Sequence, residues 1–532
     1  MPDRSSPAAG ARDPRVMGLL LALIVIAVAA RSLGHDFVVL DDRAWVVDNA
    51  RVQAGLTLDG MRWAFDTRFG GAWQPLVWWS WMLDRTLFGP GPMGFHATNL
   101  ILFAASAVLL FSALRRLIGR TGPAFAIALL WALHPVQVES VAWVAERKGL
   151  LAGLFWMLAM EIFSRGDGRG AGARAGVFVC TVLGLMAKST LLALPFVLIL
   201  LDAGLRGRRG VRALLLPRLE LLLILPLFVA VGVGAQADAG AMRGVAESVG
   251  GWSAVAASYL HALRSVVWPA GLSPVYAAPA DGFPLAHGLL ALAVLVGISL
   301  AVVRFGRTRP GVWLGWTWFL GGFLPFSGIV AVGGHYTADR YLLVPLAGLV
   351  WMLVAGGEEL LARRGSAAPR IALVVLAVVW GGLSVRQQGV WSDSVTLFEH
   401  ARAVDRTDPL AAYWLGEATM RAGDAARAVE NFRDARTLRP GYDLAWFQEG
   451  SRLLDLRRAD EAAHALEQYL ALRPHQFKGW MNLGAAYGQL GRLEDALRCF
   501  ERAVEIAPND RRANANRDRA RALLERRGGP AP

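Results

Sequence analysis

The sequence predicts an all-α protein in two parts: a polytopic membrane domain of about eleven spans, then an α-solenoid of paired helices. Three observations predict this. Of 532 residues, 55% are hydrophobic and only 18% charged, with a mean hydropathy of +0.39, whereas a soluble domain holds about 45–50% apolar residues. Apolar runs long enough, or nearly, to cross a bilayer recur through the first three-quarters of the chain. In the last quarter they give way to a strict 34-residue period.

Composition excludes other classes. Intrinsic disorder is incompatible with so much apolar sequence. Two cysteines, Cys180 and Cys499, lie too far apart in the chain to suggest a disulfide scaffold. The net charge of +13 comes from arginine in short loops between apolar runs, a membrane pattern rather than a nucleic-acid one. Lysine occurs only at Lys148, Lys188 and Lys478. This bias, with abundant Ala and Gly, points to a GC-rich bacterial genome.

The apolar runs fall at about 16–33, 98–118, 123–142, 149–164, 217–235, 287–304, 312–330, 341–357 and 370–386. A span needs about 20 apolar residues, fewer where the bilayer thins. Stretch 173–204 is too long for one helix and is interrupted at Lys188. Basic clusters occur around Arg4/Arg12/Arg15, Arg115/Arg116/Arg120, Arg165/Arg169/Arg174, Arg206/Arg208/Arg209/Arg212/Arg218, Arg304/Arg307/Arg309 and Arg363/Arg364/Arg370. Placing every cluster in the cytoplasm makes 173–204 a hairpin with Lys188 at its outer tip and 252–268 an interfacial helix. The outcome is eleven spans in a bacterial inner membrane, N-terminus inside and C-terminus periplasmic. The first run also reads as a signal peptide ending Ala27-Val28-Ala29-Ala30. The ten further spans favour a retained helix.

The first outer loop, 35–97, holds seven Asp against five Arg and six Trp between Trp45 and Trp81. Such a Trp density suits short helices in the headgroup layer.

After residue 390 the period takes over. Pro440, Pro474 and Pro508 are 34 apart, as are Gly416, Gly450 and Gly484. Ala428, Ala462 and Ala496 fill a small position, with Phe432, Leu466 and Phe500 four later. Small residues let antiparallel helices approach, and proline ends the second helix. This is the tetratricopeptide pattern, with repeats at about 409–442, 443–476 and 477–510. Flanking helices complete a domain over 391–526, and 527–532 reads as a disordered tail. The repeat Trp, Gly and Ala are packing residues. The array marks a binder of a protein or peptide without naming it.

No phosphate loop, His-Glu-x-x-His or Cys-x-x-Cys motif is present, and the histidines lack metal-ligand spacing. The candidate residues cluster on the outer side: Asp41-Asp42 after the first span, His134, Glu139, and Glu146-Arg147-Lys148 near the third, and Tyr336 with Asp339-Arg340 later. Lys148, Lys188 and Arg340 are cations on the wrong side of the charge rule, which asks for a specific reason. The competing structural readings are a helix cap for the Asp pair, headgroup snorkelling for Arg147-Lys148, and a local ion pair for Asp339-Arg340. Glu139 in an apolar stretch is costly unless paired or functional.

The segments LDDRAWVVDNARVQAG, WQPLVWWSWMLD, HPVQVESVAWVAERKG and TADRYLLVPLAG, with C-terminal repeats, closely resemble the transmembrane and TPR-repeat O-mannosyltransferase family and its bacterial relatives. The resemblance covers nearly the whole chain. It implies a GT-C glycosyltransferase fold over 1–390 and transfer of mannose or another hexose from a polyprenyl-phosphate donor. The implied acceptor is a protein Ser/Thr hydroxyl on the periplasmic face.

The resemblance places the catalytic acid early in the first outer loop, and Asp42 is favoured as base with Asp41 orienting the loop. An acceptor hydroxyl needs a carboxylate base, and the leaving lipid phosphate needs cations. Arg147, Lys148, Lys188 and Arg340 are the candidate phosphate ligands, while His134, Glu139, Glu146, Tyr336 and Asp339 position donor or acceptor. No resident cofactor or metal site is implied, and a divalent-cation requirement is left open. The implied partners are the bilayer, the lipid-linked sugar and a protein ligand of the repeats, with no nucleic acid. Two alternatives stand beside this reading: a transferase acting on lipid A, polysaccharide or glycolipid, and a non-catalytic membrane-anchored scaffold.

Overall fold

The computed structural model describes residues 13–166, 168, 170–238, 251–279, 282–306, 308–328, 336–362 and 368–528. They form helices joined by turns, in two compact units, Met1–Asp393 and Ser394–Pro532. Of the basic clusters, Arg4, Arg12, Arg169, Arg307, Arg363 and Arg364 lie outside the described residues.

In the first unit, five helices among the described residues are long and apolar enough to cross a membrane: Pro14–Gly34, Pro92–Ile118, Val211–Asp238, Leu285–Gly306 and Ile371–Val390. A sixth, Thr121–Leu133 with Pro135–Ala142, is bent by 57°. The described residues thus give five such helices, or six with the bent pair, and do not bear out eleven spans. Counting apolar residues misses the breaks. His134-Pro135 splits one run, because proline offers no backbone N–H and clashes with the preceding turn. The run at 312 ends as a helix at Phe323, before a 3₁₀ turn through Pro325. The stretch 173–204 becomes two helices, Ala171–Leu185 and Leu194–Leu205, with Lys188 in the break between them.

The loop after the first span carries helices Ala50–Gln53, Leu58–Asp66 and Pro75–Phe88. Its tryptophans do not all sit at an interface. Trp78 and Trp81 are fully buried and Trp45 nearly so. Their rings meet at 5.2 Å (Trp78–Trp81) and 5.9 Å (Trp45–Trp78). This cluster is the core that fixes the loop.

Buried Asp202 draws Arg206, Arg208 and Arg218 to 3.0, 2.6 and 3.1 Å. Buried Glu161 takes Arg116 and Arg165 at 3.3 and 3.2 Å. The arginine clusters are thus partly knit into the fold.

In the second unit, three helix pairs follow the period: Pro409–Arg421 with Ala425–Leu438, Asp443–Asp455 with Ala459–Leu472, and Phe477–Gln489 with Leu493–Ile506. Ser394–Val404 precedes them and Arg511–Gly528 follows. The helix runs through residues 527 and 528 of the expected tail, and 529–532 lie outside the described residues. The glycines explain the period. A Cβ at Gly416, Gly450 or Gly484 would come within 2.6–2.7 Å of Phe432, Leu466 or Phe500 on the paired helix. The turn within each pair uses a left-handed residue at the same register: Gly423, Arg457 (φ 61°) and Gly491.

Candidate functional site

The site begins where the first span ends. A 3₁₀ turn, Ala30–Gly34, leads into extended chain and then a π turn, Arg43–Val47. Asp41 and Asp42 sit at the entry to that turn and diverge. Asp42 is 1% exposed; one carboxylate oxygen accepts the Val38 N–H at 3.0 Å and the other the Ala145 N–H at 2.7 Å. Burial pushes its carboxyl up to about 7, against the pull of those two amides. Asp42 therefore staples the loop to the segment around residue 145. The Asp41 side chain is 37% exposed and lies 3.4 Å from Lys148 Nζ. Adjacent carboxylates do part into one structural and one accessible group, with the assignment opposite to the one favoured from sequence.

The second component is the broken stretch 134–148. His134 sits at the break. Its Nδ1 accepts the Val136 N–H, which assigns the proton to Nε2, 3.0 Å from the Val266 carbonyl. With both nitrogens engaged and the ring against Trp380, His134 fixes the bend. Glu139 is buried and bound to Arg340 twice, Oε1 to Nη1 at 2.5 Å and Oε2 to the backbone N–H at 2.9 Å. Glu146 is fully buried, pairs with Lys188, and lies 3.8 Å from Arg340 Nε.

Arg147 departs from its expected role. It is fully buried and, among the described residues, shares no hydrogen-bonding partner with Lys148, which pairs with Asp41. Its guanidinium donates to Asp84 (2.7 Å), Ser80 (3.1 Å), the Phe95 carbonyl (2.7 Å) and Asn99. These bonds engage every guanidinium nitrogen, so Arg147 is withdrawn as a phosphate ligand. A buried carboxylate seeks a buried cation, and Asp84, on helix Pro75–Phe88, is that carboxylate.

The other three cations come together. Lys148 lies over the rings of Trp45 (4.4 Å) and Trp143 (5.5 Å), and Arg340 over those of Trp143 (5.1 Å) and Tyr341 (5.3 Å). Lys188 lies beside the rings of Phe326 (5.5 Å) and Tyr341 (5.8 Å). Each also faces a carboxylate: Asp41, Glu139 or Glu146. Trp143 and Tyr341 tie the group together; Tyr341 closes the candidate run Tyr336–Tyr341, while Trp143 is not singled out by the sequence. Both stand inside the quoted segments, and an aromatic beside wrong-side cations was the available signal.

Asp339 and Tyr336 form a flank. Tyr276 places its hydroxyl 3.1 Å from both Asp339 oxygens, and Tyr336 its hydroxyl 3.1 Å from His261 Nδ1. Burial, then the Glu139 charge, holds the Asp339 carboxyl well above its ordinary range. Tyr276 and His261 had no sequence signal, since their partners lie more than 60 residues away. Among the described residues no group of three or more His, Cys, Asp or Glu is arranged to hold a metal ion.

The cluster offers one accessible carboxylate beside three cations in a largely buried setting. Such a set can take a proton and stabilise an anion.

The tetratricopeptide repeat family model matches residues 477–510, and a second tetratricopeptide repeat model matches 381–443. The chain is 36% identical over 148 residues to the mouse protein O-mannosyl-transferase TMTC1, covering 25% of this chain and 15% of that protein. It is 29% identical over 194 residues to Drosophila melanogaster Tmtc2, covering 34% and 20%. Against human TMTC4 it is 33% identical over 165 residues, covering 26% and 22%. The chain thus spans about a fifth of the length of these curated relatives. Among solved structures, MamA is 21% identical, with 27% of this chain and 84% of that chain covered and a TM-score of 0.25. YrrB, a TPR protein with an unusual peptide-binding site, is 15% identical, with 42% and 97% covered and a TM-score of 0.23. By sequence the chain is thus similar, over a quarter to a third of its length, to the TMTC-type O-mannosyltransferases, and it carries C-terminal tetratricopeptide repeats.

Proposed function

We propose that this protein is a membrane glycosyltransferase that moves a hexose from a polyprenyl-phosphate donor to a Ser or Thr hydroxyl of a protein. The observation that carries the reading is the meeting of accessible Asp41 with Lys148, Lys188 and Arg340 beside buried aromatic rings. Asp41 is the base. Its carboxylate takes the proton of the acceptor hydroxyl as that oxygen attacks C1 of the sugar. The bond from C1 to the phosphate oxygen breaks, its electron pair stays on the phosphate, and the anomeric centre inverts. The leaving polyprenyl phosphate gains negative charge, and preorganised cations stabilise it without reorganising. Lys148, Lys188 and Arg340 serve that role, exchanging carboxylate partners for phosphate oxygens.

Glu139 and Glu146 hold those cations apart until the donor arrives. Asp42 and His134 act through the backbone: one pins the Asp41 loop, the other the bend before Glu139. Asp339 and Tyr336 support Arg340 from the side. We take the chemistry to lie on the periplasmic face of the inner membrane, with the N-terminus inside. The tetratricopeptide repeats, taken as periplasmic, hold the acceptor protein or a partner and favour a protein acceptor over a glycolipid.

Mass spectrometry of envelope proteins and glycolipids, with and without the gene, tests this reading. Loss of a hexose from peptides supports it. Loss from a glycolipid alone, or from neither, contradicts the acceptor or the activity respectively.

A further inference from the structure

The segment 137–143 carries polar atoms that the ion-pair network does not use. Among the described residues, the Gln137 amide oxygen and nitrogen, the Ser140 hydroxyl and the Trp143 indole nitrogen have no hydrogen-bond partner. All three side chains are more than nine-tenths buried. Each unpaired buried group is unfavourable, and native chains keep only a few per hundred residues. Three such residues within seven positions, spaced three apart, ask for a common explanation.

The backbone that carries them is held tightly. Asn99 donates to the Val141 and Trp143 carbonyls at 3.3 and 3.1 Å, and Asp42 accepts the Ala145 N–H. Arg340 touches the segment at Glu139 and Trp143. The frame is therefore rigid while its side-chain donors and acceptors remain unused, the arrangement a preorganised binding site requires.

The chemistry of the set selects its ligand. A phosphate accepts hydrogen bonds only and wants donors and cations. Gln137 offers donors and an acceptor, Ser140 both, and Trp143 a donor. Such a mixture matches vicinal hydroxyls, which each donate and accept. Trp143 also joins the two regions, because Lys148 and Arg340 lie over its ring while its N–H is unpartnered. A sugar esterified to a phosphate held by those cations would have its hydroxyls at this segment.

We infer that Gln137, Ser140 and Trp143 form the hydroxyl-reading subsite for the donor hexose and so set which sugar is transferred. This rests on the glycosyltransferase reading above. The test uses the full-length protein in detergent, an acceptor peptide, and polyprenyl-phosphate hexoses with their single-deoxy analogues. Wild-type protein should discriminate against at least one deoxy donor. Gln137→Leu and Ser140→Ala should each raise the KM for the intact donor about three- to tenfold, the worth of a neutral hydrogen bond. Each should also lose its discrimination against one deoxy position while keeping the acceptor KM. Ser140→Ala removes a single oxygen, so it keeps the test open where Gln137→Leu does not fold.

Folded variants with wild-type donor KM and unchanged deoxy discrimination overturn the assignment and leave the transferase reading intact. No transfer by wild-type protein from any lipid-linked hexose overturns that reading, and the subsite with it.

Discussion

Gly484 and Gly488 lie one turn apart on helix Phe477–Gln489 and should respond to alanine in opposite directions. At Gly484 a Cβ would sit 2.6, 2.8 and 2.9 Å from three Phe500 ring atoms. Carbon contacts prefer about 3.5–4.0 Å, so the ring must retreat by roughly 1 Å. Phe500 is buried in the repeat core, and overpacking of that kind costs about 1–3 kcal/mol. Alanine returns about 1 kcal/mol of helix propensity, leaving a net loss of up to about 2 kcal/mol. At Gly488 no atom lies within 4 Å, so only the propensity gain remains, at most about 1 kcal/mol. Unfolding entropy for a unit of this size is about 0.28 kcal/mol per kelvin. Gly484→Ala should then lower the melting temperature by up to about 7 °C, and Gly488→Ala raise it by up to about 4 °C. The assay is thermal melting by circular dichroism of the fragment 394–528. A Gly484→Ala melting temperature at or above that of Gly488→Ala would refute the packing explanation of the 34-residue glycines.

Four further outcomes follow from the same geometry. Arg457→Gly should stabilise the repeat fragment by about 0.5–1 kcal/mol, because Arg457 occupies a left-handed conformation that suits glycine; a lower melting temperature contradicts this. Asp42→Ala should cost the full-length protein about 2–4 kcal/mol by orphaning two buried N–H groups, read as lost thermal stability in detergent. Because burial raises the Asp42 carboxyl to about 7, folding takes up a proton there. That contribution is complete below about pH 4 and lost as pH rises through 7, so Asp42→Asn should flatten the stability profile across this window. Arg147→Met and Lys148→Met should separate fold from chemistry. The first leaves Asp84 buried and unpaired, costing about 3–5 kcal/mol. The second frees only the partly exposed Asp41 and should raise the donor KM about 10- to 100-fold, the worth of a charged hydrogen bond; equal donor kinetics in both would remove the distinction.

Much of the repeat unit was legible because its physics is local. Gly416, Phe432 and Pro440 recur at fixed offsets, and each contact that matters joins neighbouring helices. The membrane unit was legible in composition but not in its breaks. Residues 123–142 read as one apolar run, yet His134-Pro135 turns the chain by 57°. The candidate site was legible as a set of residues and not as a wiring diagram. Glu139 and Arg340 meet across 201 positions, Arg147 and Asp84 across 63, and Lys188 and Glu146 across 42. No pattern along the chain encodes which buried carboxylate claims which cation. The Asp41-Asp42 pair shows the same limit. Alternation says that two adjacent side chains part, and the Val38 and distant Ala145 N–H groups hold Asp42 as the one that turns inward.

The central claim is that Asp41 removes a proton from an acceptor hydroxyl while a lipid-linked sugar is transferred. Asp41→Asn tests it most directly, because the residue is partly exposed and its one close ion pair, to Lys148, contributes little to stability. The measurement is single-turnover transfer from a polyprenyl-phosphate hexose to a Ser/Thr peptide by the purified full-length protein. Asp41→Asn should keep the wild-type melting temperature and donor binding while losing about 10²–10⁴-fold in rate. Wild-type rates in Asp41→Asn, with loss confined to a folded Asp42→Asn, would contradict the account and return the base to the buried carboxylate.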